Sequence, residues 1–518
     1  MKYAYPITSL LLLLGLLFPP LISAQDRNGT QVLDRYLQTI GKSTPPSSLD
    51  YKNAGIQGVT KDNLAKINSD IIEFGSKKRD FNTVGLYYGK HYPTYRYDTA
   101  QDYSYSFKNT KATVTPVKIE HRKLFLPENI HLNRQSIFLK INLQSDTIGK
   151  YFPPALLIHY HNKTSIHTLE RGASGTRYIN LSNLQLKAHD PIDLEGRFLT
   201  IPNQTGDLVS FRNDSLEGKT ILIVATHPDD AEIAAFGLYE KYHNNSYVVT
   251  ITAGDAGPST IYNKFYYDTK QLYLEKGMRR TWDSLSIPAL GKVSYSHTLN
   301  LGFFDGRLPK MYQQKDHNFP GIYTGTTNIE TFRQENHSPL AKILKGSSNW
   351  NSLVENLVSL LQEIKPDIIV TPYSHIDRHP DHKYTTAAVF EAIEKAGMRS
   401  GKLYLYSNHP LNSEYFPFGN RWEPVDLPPN FGSLYFESIY SHPLTKRAQR
   451  EKLFALEAMS DLRFEAEGSP FDEHCKNRDP LTCRDFSYFR RAVRSNELFF
   501  VVDIKNIYNK KILEAILN

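Results

Sequence analysis

The chain has 518 residues, of which 40% are hydrophobic and 22% charged. It is too long for one ordinary hydrophobic core, so we expect two domains. These proportions are normal for a globular protein and exclude a disordered or fibrous chain. The formal net charge of +7 is modest for this length. Because no basic run stands out, the sequence does not indicate a nucleic-acid-binding protein.

The first 24 residues have the pattern of a signal peptide. Lys2 provides a positive charge, Leu10 to Phe18 form a short apolar run, and Ser23-Ala24 offers small residues for cleavage. The run is short for a membrane span, and no later segment approaches the roughly 20 apolar residues that a helical span needs. We therefore expect an exported protein, periplasmic or secreted, without a transmembrane span in the mature chain. A retained N-terminal anchor is the alternative.

The sequence contains two cysteines, Cys475 and Cys483, which lie close together. In an oxidising compartment we expect them to close a small loop. A metal site with His474 is the other interpretation, but a finger-type site needs four closely spaced ligands and the further partners are missing. The sequence therefore favours a disulfide.

Residues 25–215 are predicted to form a β-rich, sandwich-like domain. A helix is predicted over 63–74, and from about residue 95 short segments rich in Val, Ile, Leu and Tyr alternate with turn residues. The predicted strands are 112–119, 136–143, 155–160, 165–169 and 198–201. Such a domain could bind a glycan, dock the rest of the chain or only complete a core, and these roles stay open.

Beyond a boundary near residue 215, the pattern changes to alternating strands and helices. Ile221–Ala225 is a continuous apolar run, as expected for a parallel strand that is buried on both faces. Alternation of this kind predicts an α/β fold for residues 216–518, with a mainly parallel sheet and helices on both faces. Further strands are predicted at 247–252, 298–301 and 367–371, and helices at 233–242, 270–285, 353–364 and 385–396.

Two polar motifs follow predicted strands of this second domain. His227-Pro228-Asp229-Asp230 comes directly after the first strand, and His379-Pro380-Asp381-His382 lies in the loop after the strand at 367–371. In open α/β sheets, ligands bind outside the carboxyl ends of the strands, so one crevice could receive both motifs. Each motif alone is also a common turn, in which Pro presets φ and Asp caps the next helix. Their combination favours a functional site.

The residue types in the two motifs suit a catalytic zinc ion. Imidazole nitrogens and one carboxylate, here from His227, Asp230 and His382, are a standard ligand set when a water occupies the open position. Bound zinc lowers the pKa of its water and polarises a carbonyl. We therefore predict one metal centre shared by the two loops.

Three further polar residues of the motifs are not needed as metal ligands and could take part in catalysis. Asp229 could take the proton of the attacking water and deliver it to the leaving amine. His379 could stabilise the developing oxyanion. Asp381 could fix the ring of His379 by a hydrogen bond.

These segments resemble the PIG-L/LmbE-like family of zinc-dependent deacetylases, which act on molecules that contain N-acetylglucosamine. The resemblance covers about 217–400 well and 446–460 more loosely, and residues 25–215 lie outside it. It rests on THPDDAEI (226–233), VTITAGDAG (249–257), LGFFDG (301–306) and KPDIIVTPYSHIDRHPDH (365–382).

The resemblance implies a Rossmann-like fold, one zinc ion and hydrolysis of an N-acetyl group. Ferrous iron is the alternative metal. Asp305, at the family's Asp-Gly position, would contact a sugar hydroxyl, although an Asp before a Gly equally forms a turn. The roles carried over by motif are metal ligand (His227, Asp230, His382), general base (Asp229) and transition-state stabiliser (His379).

The chain departs from the family pattern in two places. Where the family often has a glycine-rich stretch, residues 234–237 read Ala-Ala-Phe-Gly, and these bulkier residues are expected to reshape the pocket or the helix start. The family's substrate-binding arginine has two candidates, Arg279 and Arg280. We interpret both as members of a solvated helix face.

Several further polar residues receive no role in the predicted site. His375 and Asp377 precede the second motif and could support the metal ligands, but we interpret them as loop-surface residues. His442 is interpreted as structural. The remaining histidines do not have the spacing of metal ligands, and none is assigned (His297, His409 and His474).

Together with the resemblance, the sequence predicts an exported deacetylase that hydrolyses the N-acetyl group of an N-acetylglucosamine-type glycan. In the predicted reaction, zinc hydroxide attacks the acetamide carbonyl while Asp229 acts as general base, which releases acetate and a free amine. The substrate would be an envelope or extracellular glycan. Two alternatives stay open: a zinc amidohydrolase acting on another N-acyl substrate (a lipid, a peptide or an antibiotic), and an inactive glycan-binding protein. The presence of every ligand disfavours the second.

Overall fold

The computed structural model describes residues 95–462 and 492–518, apart from 127–134, 151, 258–261, 263–264, 267 and 414, together with short segments between 32 and 69. The predicted signal peptide, most of the predicted helix 63–74, and Cys475 and Cys483 lie outside the described residues. Within the described part, no helix is long and apolar enough to span a bilayer. The chain divides into two compact units, residues 1–92 and residues 93–518.

The first unit contains the short helix α1 (Ser48–Asn53). The hydroxyl of Tyr51 is buried and donates to Asn68 Oδ1 at 2.6 Å, and the Asn68 amide donates to the Pro46 carbonyl at 3.0 Å. These bonds satisfy the polar groups that the small cluster buries.

The second unit begins with an antiparallel sheet of nine strands, in the order β5-β4-β7-β2-β1-β9-β3-β6, with β8 paired to β3. Leu139 of β3 and Ile158 of β4 share one hydrophobic core although their strands stand far apart in this order, so the sheet curls around that core. The prediction of a β-rich region is confirmed. The strands are β1 (Ala112–Glu120), β2 (Lys123–Phe125), β3 (Gln135–Ser145), β4 (Ala155–Tyr160), β5 (Lys163–Thr168), β6 (Ser174–Asn180), β7 (Pro191–Arg197), β8 (Leu199–Thr200) and β9 (Thr205–Arg212).

The chain then forms a seven-stranded sheet in the order β12-β11-β10-β13-β14-β16-β15. The first five strands in this order are parallel, whereas β16 and β15 are antiparallel to their neighbours. The predicted α/β fold is confirmed, but the sheet is mixed. The strands are β10 (Ile221–Ala225), β11 (Ser246–Thr252), β12 (Thr298–Phe303), β13 (Ile368–Pro372), β14 (Lys402–Tyr406), β15 (Ser438–Pro443) and β16 (Asn496–Asp503).

Helices cover both faces of this sheet. In β10, Leu222 and Val224 point to a core shared with the helices Trp350–Ile364 and Pro380–Lys395. Ile221 and Ile223 point to the opposite core, which is shared with the helices Asp230–Lys241 and Lys446–Ala458. Burial on both faces explains why this strand is apolar at every position. The helices are α2 (Asp230–Lys241), α3 (Thr269–Ser286), α4 (Leu308–Gln313), α5 (Glu330–Arg333), α6 (Trp350–Ile364), α7 (Pro380–Lys395), α8 (Lys446–Ala458) and α9 (Lys510–Leu517).

The two sheets of the second unit share part of their core. The Tyr105 and Phe500 rings stack with centroids 6.4 Å apart, and the Asn180 amide donates to Ser441 Oγ at 2.9 Å. The antiparallel sheet ends at β9 and the mixed sheet begins at β10, on either side of residue 215. The division into domains at that residue stays a prediction.

Candidate metal centre

The two polar motifs meet at the carboxyl ends of neighbouring strands. Because β10 and β13 are adjacent and parallel, the loops that follow them leave the same edge of the sheet. The Thr226 hydroxyl, from the first loop, donates to the Thr385 hydroxyl of α7 at 3.0 Å. The helices α2 and α7 begin within the two motifs. The two motifs are far apart in sequence but close in space, because they follow adjacent parallel strands.

Three donor atoms form a nearly equilateral triangle at this edge. His227 Nδ1 lies 3.3 Å from Asp230 Oδ2 and 3.3 Å from His382 Nε2, and the latter two atoms are 3.1 Å apart. For a tetrahedral zinc ion with bonds of about 2.0–2.1 Å, neighbouring ligand atoms stand about 3.3 Å apart. The predicted ligands therefore fit a zinc ion without rearrangement.

The outer atoms of the same three side chains are held by further polar groups. His382 Nδ1 lies 3.1 Å from Asp377 Oδ2, and His227 Nε2 lies 3.2 Å from Asp305 Oδ1. The Asn408 amide donates to Asp230 Oδ1 at 2.7 Å. Partners of this kind fix ring orientation and increase the basicity of a ligating imidazole. The contacts leave one atom of each side chain facing the centre of the triangle.

The electrostatics of the site favour a cation. Burial by itself lowers the pKa of His227, but the Asp305 and Asp230 carboxylates outweigh burial and raise that pKa well above its usual value. Burial is likewise outweighed at His382, where Asp230 and Asp377 raise the pKa to about 10. The surrounding negative charge that retains protons here would equally favour a divalent ion, whose binding displaces those protons.

Two other donor groupings lie in the same place. One combines His379 with His227 and His382, and the other combines Asp305 and Asp381 with His227. Asp230 Oδ2, by comparison, lies within 3.3 Å of the facing nitrogens of both His227 and His382. We therefore prefer Asp230 as the third ligand.

Asp229 lies beside the triangle and is held by an arginine. Arg280 Nη2 donates to Asp229 Oδ2 at 3.0 Å and to the Pro228 carbonyl at 3.2 Å. Gly254 has a positive φ of 64°, and a Cβ there would lie 2.8 Å from the Arg280 guanidinium, so this glycine makes room for the contact. Burial raises the pKa of Asp229, and the charge of Arg280 opposes that rise.

His379 lies against the two ligand histidines. Its ring centroid is 4.7 Å from that of His227 and 4.9 Å from that of His382. Burial, reinforced by the positive charge of these rings, lowers the pKa of His379 to about 3, so the ring is neutral near pH 7. Its Nδ1 is buried and has no hydrogen-bond partner among the described residues.

Asp381 is placed differently from the sequence prediction. Its Oδ2 accepts the Gly306 N–H at 2.6 Å and lies 3.6 Å from His227 Nε2. The described contacts therefore turn it towards His227 instead of His379. Asp305, predicted to bind a sugar hydroxyl, is also against His227. Both carboxylates reach this histidine because the loop after β12 lies beside the loop after β13.

Two residues that the sequence analysis set aside are part of the site. Asp377 was interpreted as a surface residue, but it is 4% exposed and accepts the backbone N–H of His379 at 3.0 Å. Arg280 was assigned to a solvated face, yet it is buried and holds Asp229. Arg279, the other candidate, is exposed. Sequence periodicity fails here because α3 carries buried charged residues on its inner face.

Residues 234–237 coincide with a kink in α2. Ala235 has non-helical dihedral angles (φ −140°, ψ 17°), and Glu497 accepts the freed N–H groups of Gly237 and Leu238 at 2.8 and 2.9 Å. A Cβ at Gly237 would lie 2.5 Å from Leu444 Cγ, so the glycine permits a close approach. The departure from the family pattern thus falls where the helix is distorted.

The sequence analysis did not consider Asn408 and assigned no role to His409. They follow β14, which lies next to β13 in the sheet, and both backbone N–H groups donate to Asp377 Oδ2, at 2.9 and 3.0 Å. The short apolar run of β14 could have predicted them, because a further parallel strand places a further loop at the same edge of the sheet.

The comparisons with known proteins agree with this location. Residues 222–393 match the model of the family described as PIG-L, GlcNAc-PI de-N-acetylase. No curated protein sequence matches the chain.

Several solved structures resemble part of the chain. The zinc-inhibited form of teicoplanin deacetylase Orf2 is 18% identical and covers 55% of this chain and 98% of its own, with a TM-score of 0.31. GalB, the 4-carboxy-2-hydroxymuconate hydratase from Pseudomonas putida KT2440, is 12% identical and covers 55% and 95%, with a TM-score of 0.30. The conserved protein TT1542 from Thermus thermophilus is 18% identical and covers 46% and 78%, with a TM-score of 0.23. These superpositions are too loose to inform the chemistry, and the family match carries the assignment. Over residues 222–393, this chain is similar to the PIG-L family.

Proposed function

We propose that this chain is an exported, zinc-dependent deacetylase that hydrolyses the N-acetyl group of an N-acetylglucosamine-type glycan. The family match and the donor cluster support a metal-dependent deacetylase in general. The observation that carries the proposal is the triangle of His227, Asp230 and His382, with the carboxylate of Asp229 left free of it. One cation and one proton acceptor are the minimum that amide hydrolysis at such a centre needs.

Zinc bound by the three donors would polarise the acetamide carbonyl and lower the pKa of the attacking water. Asp229 takes up the proton of that water and returns it to the leaving amine. A raised pKa suits this exchange, because a carboxylate that ionises closer to neutral pH can both accept and release a proton. Arg280 keeps Asp229 directed to the reacting group through their 3.0 Å contact.

His379 supports the same step as a hydrogen-bond donor. Since its pKa is lowered to about 3, the neutral ring carries one N–H and no charge. A preorganised N–H directed at the carbonyl oxygen stabilises the negative charge that develops there. His379 thus acts on the acyl oxygen while Asp229 acts on the water and the amine.

The proposals of export and of a glycan substrate are supported by the N-terminal sequence and not by the geometry of the site. The pattern of residues 1–24 supports secretion, and an N-acetylated glycan of the envelope or the extracellular space is then the accessible substrate. Mass spectrometry of the mature protein from its native host should find an N-terminus at Gln25. An intact Met1 in the cytoplasmic fraction would contradict export.

The test of the reaction is acetate release. Protein stripped of metal and reloaded with one equivalent of zinc should release acetate from N-acetylglucosamine oligomers, and the stripped protein should not. N-acylated lipids, peptides and antibiotics assayed in parallel test the alternative amidohydrolase. If no glycan releases acetate but another N-acyl compound is hydrolysed, the proposed substrate is wrong and the proposed metal-dependent hydrolysis stands.

A further inference from the structure

A third loop closes the metal centre. It follows β14 and contains Asn408, whose amide donates to the Asp230 carboxylate at 2.7 Å and to the Asp230 carbonyl at 3.2 Å. Asn408 is 2% exposed. The loop lies beyond residue 393, where the family match ends. It therefore belongs to the part of the site that the family pattern does not describe.

The backbone of His409 holds this loop in place. Its N–H donates to Asp377 Oδ2 at 3.0 Å, and its carbonyl accepts the Arg378 N–H at 2.8 Å. Neither bond involves the imidazole. Both backbone bonds can form whatever side chain occupies this position.

The imidazole of His409 lies among the site histidines. Its centroid is 5.2 Å from the His382 ring and 5.4 Å from the His379 ring, and the residue is only partly buried. The ring is thus near both the ligand triangle and solvent.

His409 is neither a member of the ligand triangle nor part of the two other donor groupings found among the described residues. Its neighbour His382 already has both ring nitrogens in contact, with Asp377 and with the triangle. A ring that adjoins the ligands without joining them, and that reaches solvent, is suited to contact what enters from solvent.

We propose that His409 is a further catalytic residue, which contacts the acyl group of the substrate as a second imidazole donor beside His379. The inference rests on the proposed function and names a residue that the family pattern leaves out. Negative charge develops on the acyl oxygen during hydrolysis, and a second N–H donor there stabilises the transition state more than the ground state.

The experiment compares His409→Ala with His409→Gln in zinc-loaded, full-length protein. Loss of one donor to a developing oxyanion lowers kcat by roughly 100-fold or more, so His409→Ala should lose that much, with KM changed little. His409→Gln keeps an N–H donor and should recover part of the loss. His297→Ala is the matched control. The His297 ring stacks on Tyr247, with the ring centroids 4.0 Å apart, and takes no part in the site.

A second readout does not depend on turnover. Cobalt-loaded protein should give the same visible spectrum in wild type and His409→Ala, because the ligand triangle is intact. The probe acetohydroxamate, which presents an acyl oxygen to the metal, should bind the variant at least about tenfold more weakly than wild type, the effect of losing one hydrogen bond to a charged group.

The outcomes separate this inference from the proposed function. If wild type binds acetohydroxamate but releases no acetate from any glycan, the proposed function fails and the probe still decides the role of His409. Unchanged probe affinity and unchanged kcat in His409→Ala would overturn the inference, as would a changed cobalt spectrum, which would place His409 on the metal ligands. Wild type that does not bind the probe would overturn both.

Discussion

Two buried ionic clusters in the second unit differ in their charge balance. In the antiparallel sheet, Arg177 Nη2 donates to Glu170 Oε1 at 2.6 Å, and the Tyr103 hydroxyl donates to the same oxygen at 2.8 Å. One cation there faces one carboxylate, and both side chains are almost fully buried. At the edge of the mixed sheet, by contrast, several carboxylates lie close together: Asp230, Asp377 and Asp381 are buried, and Arg280 contacts Asp229 at 3.0 Å.

The difference indicates what each cluster is for. A buried carboxylate needs a compensating charge, because its desolvation is not otherwise offset. The Glu170–Arg177 pair supplies that charge within the protein. At the metal centre the carboxylates instead raise the pKa of His227 and His382, and a divalent ion would displace the protons held there. A carboxylate paired with an arginine is typical of a structural cluster, whereas carboxylates grouped around imidazoles favour a site that binds a cation.

The largest effect is expected when a metal ligand is removed, which tests whether the second cluster binds a cation. His227→Ala should lose both the bound zinc and all measurable turnover, because two donors cannot hold the ion against dilution. Metal analysis after dialysis, together with acetate release, measures both effects. Full zinc occupancy in this variant would show that the triangle is not the metal site.

Removal of the proton acceptor should separate metal binding from chemistry. Asp229→Ala should keep the zinc, since the triangle does not include Asp229, and should lower kcat by about 10²–10⁴-fold because general acid–base catalysis is lost. The two measurements are again metal content and acetate release. A zinc-free Asp229→Ala protein beside a fully loaded His227→Ala protein would reverse the assigned roles.

Disrupting the Glu170–Arg177 pair should change the stability of the protein and not its metal binding. Arg177→Met leaves Glu170 buried and unpaired, which should lower the free energy of unfolding by about 3–5 kcal/mol. Zinc content of the folded protein should not change. Combining Arg177→Met with Glu170→Gln should recover much of the loss, as measured by denaturant unfolding. Loss of zinc in the single variant would show that the two clusters are not independent.

The last prediction concerns a carboxyl group next to the site. Burial raises the pKa of Asp255 to about 7, while the Asp305 N–H that it accepts at 2.8 Å opposes the rise. The folded protein therefore keeps this proton where the unfolded chain has lost it. Stability from this group is full below about pH 4 and falls by at most roughly 1.4 kcal/mol per pH unit up to about pH 7.

Asp255→Asn should remove this fall, because the amide keeps the acceptor for Asp305 and does not titrate. Unfolding measured across that pH range should show the variant gaining on wild type as the pH rises. Parallel stability curves for the two proteins would mean that Asp255 is ionised in the folded state throughout.

By itself, the sequence determined the local parts of this protein. The parallel strands β10, β11 and β13 and the helices between them were predicted to within a few residues, because burial on both faces imposes continuous apolar runs and amphipathic helices. The donor residues were also predicted, since His227 and Asp230 lie within four residues of each other after a strand. The β-rich character of residues 112–212 follows from the same local patterning.

Only the tertiary structure decided which distant groups complete the site. It brings the loops after β12, β13 and β14 to one edge, which turns Asp305 and Asp381 towards His227 and adds Asn408 and His409. It also buries Asp377 and Arg280, whose sequence context is that of a surface. The antiparallel pair β15 and β16 was missed for the same physical reason: pairing between strands far apart in the chain depends on which edge is free, and no local pattern records that.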